Sequence, residues 1–144
     1  HYFDPHGGYF PPPEYAARFG VDKDSPMLTV AQQTVWKEIP PASEVETLEA
    51  LYDGEIAFTD AEIGRLLDAM PKDRPLLVVL TADHGEEFLD HGGLSHARTL
   101  FEEQLHVPLV FAGAGVAGGR TIERPVSIAD VWPTLAEMTG LQAP

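Results

Sequence analysis

One stretch constrains the fold of this chain more than any other. Leu76-Leu77-Val78-Val79-Leu80-Thr81 is apolar and β-branched on both faces, and it runs straight into Ala82-Asp83-His84-Gly85. A strand without a polar face belongs inside a sheet covered on both sides, so the run predicts a central strand of a parallel sheet. Val107–Phe111 predicts a second such strand, ending in Ala-Gly-Ala-Gly. Between Ser43 and Met70 the apolar residues Val45, Leu48, Tyr52, Ile56, Ile63, Leu66 and Met70 recur at helical spacing. Ser43 with Glu46 three residues on has the form of a capping box, and Pro71 and Pro75 stop the helix. Ser127-Ile128-Ala129-Asp130 leads into a last helix through Met138, closed by Gly140. This order of elements predicts an α/β layered fold with a mostly parallel sheet and flanking helices.

The remaining segments are connections. Residues 1–3 read as the tail of a buried strand. Residues 4–13, Asp-Pro-His-Gly-Gly-Tyr-Phe-Pro-Pro-Pro, read as a shaped loop, because proline removes donors and glycine permits unusual backbone angles. A short helix is expected over 14–19 and irregular chain over 20–42. Val30–Ile39 is too mixed to assign.

Composition narrows the function. With 144 residues the chain suffices for one domain. Its 9 Lys and Arg against 23 Asp and Glu leave a net charge of −14, which repels nucleic acid and anionic lipid and tolerates bound cations. There is no cysteine, which excludes disulfides, zinc-thiolate sites and a thiol nucleophile within the stretch. No apolar run approaches the roughly 18 residues of a membrane span. Residue 1 is histidine, and the expectation is a piece of a longer protein.

Polar chemistry in open α/β sheets collects in loops beyond the carboxyl ends of strands. Four of the six histidines fall between 84 and 106. A carboxylate and an imidazole leave the first strand side by side as Asp83-His84, where a divalent cation could be held. The same dipeptide is also compatible with a plain turn carrying a solvated histidine. His91 reads as a loop-ordering residue and His106 as a structural one. Glu86 and Glu87 read as solvated loop charge and Glu102-Glu103 as cover for the next segment. Asp130 reads as a helix N-terminal residue. Tyr2, Phe3, Tyr9 and Phe10 read as aromatic packing.

The context goes further than the dipeptide. Thr81-Ala-Asp-His-Gly-Glu-Glu-Phe-Leu-Asp-His-Gly-Gly93 resembles the sulfatase branch of the alkaline phosphatase superfamily. So do Ser95-His-Ala-Arg-Thr-Leu-Phe-Glu-Glu-Gln-Leu-His-Val-Pro-Leu-Val-Phe111, Tyr52-Asp53 with Asp60 and Ile63-Gly64, and Val126-Ser-Ile-Ala-Asp-Val-Trp-Pro-Thr-Leu135. The opening His1-Tyr-Phe-Asp-Pro-His-Gly-Gly-Tyr9 is similar to that family's histidine loop. The blocks occur in the family's order over essentially the whole chain.

The resemblance implies an alkaline-phosphatase-like three-layer sandwich, present here as the C-terminal part of the catalytic domain. It implies metal-dependent hydrolysis of a small-molecule or sugar sulfate ester. Asp83 and His84 match the strand-end metal ligands, where many sulfatases have Asp-Asn. The implied ion is Ca²⁺, with Mn²⁺ or Zn²⁺ as alternatives. His6 matches the histidine that contacts the sulfate or leaving-group oxygen. His1 and His96 match histidines of the phosphoethanolamine transferase relatives, and His96 stands twelve residues after His84. Common arylsulfatases have a lysine near this position, whereas the lysines here are Lys23, Lys37 and Lys72; Arg98 is the candidate for the positive charge. The resemblance thus implies His6 and His96 as the catalytic pair, with His1 and Arg98 as substrate contacts. The family's formylglycine nucleophile and paired aspartates are expected upstream, so the 144 residues alone are expected to be inactive. Family habit places such proteins in the periplasm or outside the cell. A phosphoryl-type member (phosphoethanolamine transferase, or phosphonate monoester or phosphodiester hydrolase) and a non-catalytic scaffold with a degenerate site are the alternatives.

Overall fold

The longest element is the helix Ala42–Ala69, labelled α3 once the short helices Pro13–Ala16 (α1) and Met27–Val30 (α2) before it are counted. The structure, a computed structural model, describes residues 1–32 and 38–141; part of the unassigned Val30–Ile39 stretch lies outside them. α3 ends where the prolines require, with Met70 extended ahead of Pro71. Its start differs from expectation. Pro41 is the capping residue, no side chain caps the helix, and Ser43 lies inside the first turn. The capping box is not formed because Pro41 already sets the entry angle and its carbonyl takes the N–H groups of Glu44 and Val45.

Contacts separate the described residues into two compact units. The first comprises the described residues of His1–Met70 and Glu86–Thr99, the second those of Pro71–Gly85 and Leu100–Pro144.

In the first unit, α1 continues into a 3₁₀ turn, Ala17–Phe19, and packs on α3. The core is Tyr9, Ala16, Val21, Ala31, Val45, Leu48, Leu51 and Leu94, with Tyr52 and Phe88 packed against it. Val45, Leu48, Leu51 and Glu55 form the buried stripe of α3. Ile56 and Leu66, expected on that stripe, are 44% and 49% exposed. Only the N-terminal half of α3 is therefore a core face. Gly54 lets the proline loop close on this helix: a Cβ there would stand 2.9 Å from Pro11 Cγ. A two-stranded ribbon pairs Glu87–Phe88 (β2) with Leu94–Ser95 (β3) in antiparallel register. Residues 1–3 are not a strand; Tyr2 and Phe3 are 42% and 69% exposed.

In the second unit, Leu77–Thr81 (β1) pairs with Leu109–Gly113 (β4), Leu77 opposite Gly113 and Thr81 opposite Leu109. The pairing is antiparallel, as is that of β2 with β3, which corrects the expectation of a mostly parallel sheet for the described residues. An apolar run favours a strand covered on two faces, the usual state of parallel strands, but does not by itself fix strand direction. The faces are themselves only half covered: Val110 is 51% exposed. A short helix Glu102–Leu105 (α4) precedes β4. The last helix, Val131–Thr139 (α5), follows a 3₁₀ turn at Ile128–Asp130. Ser127 Oγ accepts the Ala129 N–H, and the left-handed Gly140 closes the helix as the sequence predicts. No helix among the described residues is long and apolar enough to cross a membrane.

Candidate functional site

The strand end in the second unit is built by local geometry. β1 finishes at Thr81, and after Ala82 the chain presents Asp83 and His84 just beyond the strand end. The Gly85 N–H donates to the Gln104 carbonyl at 2.9 Å. A Cβ on Gly85 would collide with the Glu103 carbonyl, so glycine is required here by a close backbone approach. Asp83 Oδ1 accepts the His84 N–H at 3.2 Å. His84 Nδ1 lies 2.8 Å from the Gly85 carbonyl oxygen. A carbonyl can only accept, so Nδ1 carries a hydrogen, and in the neutral ring Nε2 is the nitrogen that offers a lone pair. Nε2 lies 3.9 Å from Asp83 Oδ2. One carboxylate oxygen and one imidazole nitrogen, with the ring fixed by a backbone acceptor, form a donor set that suits a divalent metal.

The first unit brings His6 and His96 together. Their rings meet edge to face with centroids 5.0 Å apart, and Phe3 lies against His6 at 4.5 Å. His96 Nδ1 is 2.9 Å from Glu86 Oε1, and the Tyr9 hydroxyl donates to Glu86 Oε2 at 2.8 Å. Glu86 is 8% exposed and Tyr9 fully buried. Burial first, and then the neighbouring Glu86 carboxylate, hold the Tyr9 phenol protonated far above its ordinary range. The same two causes push Tyr52 up to about 12. His96 also sits on strained backbone. Ser95 and Ala97, on either side of it, adopt φ values of 77° and 64°, a left-handed conformation that residues bearing a Cβ rarely accept. His1 and Arg98 belong to the same unit and are solvent-exposed.

Several acidic residues differ from their sequence reading. Glu86 and Glu87, expected as solvated loop charge, are buried at 8% and 1% exposure. Glu87 serves its own loop, accepting the N–H groups of His91 and Gly93 at 3.1 and 2.7 Å. His106, expected to be structural, is exposed at the end of α4. Sequence reasoning passed over Glu55 altogether. It is 4% exposed on α3, accepts the Phe10 N–H on Oε1 at 2.6 Å, and has no hydrogen-bond partner for Oε2 among the described residues. Burial raises its pKa to about 7 against the opposing pull of the Phe10 N–H. Its place on the apolar stripe of α3, one residue before Ile56, was the available signal.

Comparison with known proteins agrees with this arrangement of motifs. A family model described as Sulfatase matches residues 1–141. A sulfatase of Formosa agariphila is 34% identical over 128 residues, covering 83% of this chain and 23% of that protein. Arylsulfatase K of Mus musculus is 30% identical over 105 residues, covering 71% of this chain and 19% of the relative. Arylsulfatase K of Danio rerio is 32% identical over 101 residues, covering 68% and 19%. The chain spans about a fifth of the length of these relatives. No solved structure matches it with significance.

Proposed function

The chain belongs to the sulfatase family, and from that premise we propose that it forms the C-terminal part of the catalytic domain of a metal-dependent sulfuric ester hydrolase. The observation that carries the reading is the His6–His96 pair, with His96 tied to a buried carboxylate. Sulfate-ester cleavage develops negative charge on the leaving oxygen, and imidazoles held in place can stabilise and protonate it. In this reading His6 and His96 act on the ester oxygens. His1 and Arg98 contact the substrate from the solvent-exposed side of the same unit.

Asp83 and His84 would hold the metal. When bound, a divalent ion supplies polarisation of a sulfate oxygen. Ca²⁺ is the ion implied by the family, while the imidazole nitrogen of His84 also suits Mn²⁺ or Zn²⁺. The nucleophile, a formylglycine, and the remaining acidic ligands would come from residues outside these 144. The isolated 144-residue chain is therefore expected to be inactive, and turnover of an aryl sulfate by it would refute that point.

A histidine at position 96, in place of the lysine of common arylsulfatases, supports one second reading: a phosphoryl-type member of the superfamily. The test is metal analysis and steady-state hydrolysis of an aryl sulfate and an aryl phosphate diester, with the protein that carries these residues together with its nucleophile. Sulfate turnover with a bound divalent ion, both lost in Asp83→Ala, is the expected result. Diester turnover without sulfate turnover would replace the first reading with the second. Absence of both metal and turnover would refute both.

A further inference from the structure

We propose that Glu86 is the positioning residue of this site: anchored by the Tyr9 hydroxyl, its carboxylate holds His96 by Nδ1, so that proton exchange with a sulfate ester passes through Nε2. The inference deepens the hydrolase reading and rests on it for the identity of the ester.

Three observations support it. First, a carboxylate accepts and does not donate, so the 2.9 Å contact puts the hydrogen on His96 Nδ1. Any proton that His96 gives or takes elsewhere then uses Nε2. Second, Glu86 is buried, and burying a carboxylate is unfavourable unless hydrogen bonds replace its water. Both oxygens are satisfied: Oε1 by His96 Nδ1, which also lies 3.2 Å from Oε2, and Oε2 by a phenol that is itself fully buried. A residue needed only for solubility would not be placed this way. Third, Ser95 and Ala97 hold left-handed backbone on either side of His96. Strain of this kind persists where the surroundings over-determine a conformation, and it clusters at sites that require a fixed side chain. Glu86 and Tyr9 lie far apart in the chain, so the anchor exists only in the folded unit.

During ester cleavage the nucleophile's oxygen bonds to sulfur as the S–O bond to the alcohol breaks, and the leaving oxygen takes the Nε2 proton of the doubly protonated His96 ring, which is left neutral with its hydrogen on Nδ1. Nε2 regains a proton from water before the next turnover, which restores the donor. Glu86 neither gains nor loses a proton; it fixes the ring.

The test uses the full protein, wild type and Glu86→Gln, with ¹⁵N NMR of the imidazole rings and kinetics on 4-nitrophenyl sulfate and an alkyl sulfate. Gln is nearly isosteric but can donate as well as accept, so the wrong tautomer becomes available, as happens when the aspartate of a serine-protease triad is amidated. Wild-type His96 should carry its hydrogen on Nδ1 when neutral, and Glu86→Gln should populate the Nε2–H form. The variant should lose roughly 10²- to 10⁴-fold in kcat on the alkyl sulfate, whose leaving oxygen needs a proton. It should lose at least about 10-fold less on 4-nitrophenyl sulfate, whose leaving group needs little help. Glu86→Asp, which keeps a carboxylate, should retain the Nδ1–H form. Tyr9→Phe gives a second route: it keeps the packing, removes the anchor, and should broaden the His96 resonances. An unchanged tautomer in Glu86→Gln, or equal losses on both esters, would overturn the proposal. A tautomer change in a wild-type background inactive on both sulfates would support the positioning role and overturn the hydrolase reading.

Discussion

Raising the pH should destabilise the first unit through Glu55, and the size of the effect follows from its surroundings. The carboxyl is 4% exposed on the core face of α3. One oxygen accepts the Phe10 N–H; the other has no partner among the described residues. Charging it is therefore opposed by desolvation, with Asp4 adding to the opposition and Phe10 reducing it, and the pKa rises from 4.5 to about 7. In the unfolded chain the group ionises near 4.5. Between these values the unfolded state holds fewer protons than the folded one, so stability falls as pH rises, and it levels off above pH 7. The interval corresponds to about 3 kcal/mol. The assay is denaturant unfolding from pH 4 to 8 for wild type and Glu55→Gln. Glutamine keeps an acceptor for Phe10 and never ionises. Its amide adds a fixed cost, while other titrating groups cancel in the difference between the two proteins. The wild type should lose about 3 kcal/mol relative to the variant across the window. Parallel profiles, agreeing to within about half a kcal/mol, would refute the reasoning.

Other outcomes follow from the same structure. Gly54→Ala should destabilise despite the better helix propensity of alanine, because the new Cβ would stand 2.9 Å from Pro11 Cγ; overpacking of about 1–3 kcal/mol outweighs a propensity gain of up to about 1, and chemical denaturation measures the sum. Ser95→Gly and Ala97→Gly should be neutral or stabilising by up to about 1 kcal/mol, since glycine relieves the left-handed backbone at φ 77° and 64°; thermal unfolding that shows a clear loss at both positions would count against strain there. Tyr9→Phe should cost about 1–3 kcal/mol by leaving a buried Glu86 oxygen without its donor, again read from unfolding curves.

Elements whose signal is local were legible in the sequence. Pro71 ends α3, the apolar run over 76–81 yields β1, and Gly140 closes α5. Each depends on φ restriction, side-chain shape or a left-handed cap within a few residues. The capping box failed for a reason equally local: proline at position 41 had already taken the role given to Ser43. The resemblance of their motifs singled out His6 and His96 as candidates, while periodicity alone marked neither.

What the chain could not disclose by itself was which charges would be buried. Glu86, Glu87 and Glu55 are acidic residues in polar or amphipathic contexts, and their intrinsic preference is solvent. Glu86 is buried because Tyr9, 77 positions away, meets it in the folded unit. Glu55 is buried because the proline loop closes over it and offers the Phe10 N–H, 45 positions away. Strand direction was decided at the same level, since β1 finds its neighbour in β4 across a long connection. The sequence thus determined the stop of α3 at Pro71, the strand over 77–81, the closure of α5 at Gly140 and which motif residues are available for chemistry. The tertiary structure decided which carboxylates are desolvated and which imidazole nitrogen a carboxylate holds, because burial and hydrogen-bond pairing arise from contacts between residues remote in the chain, which no local pattern encodes.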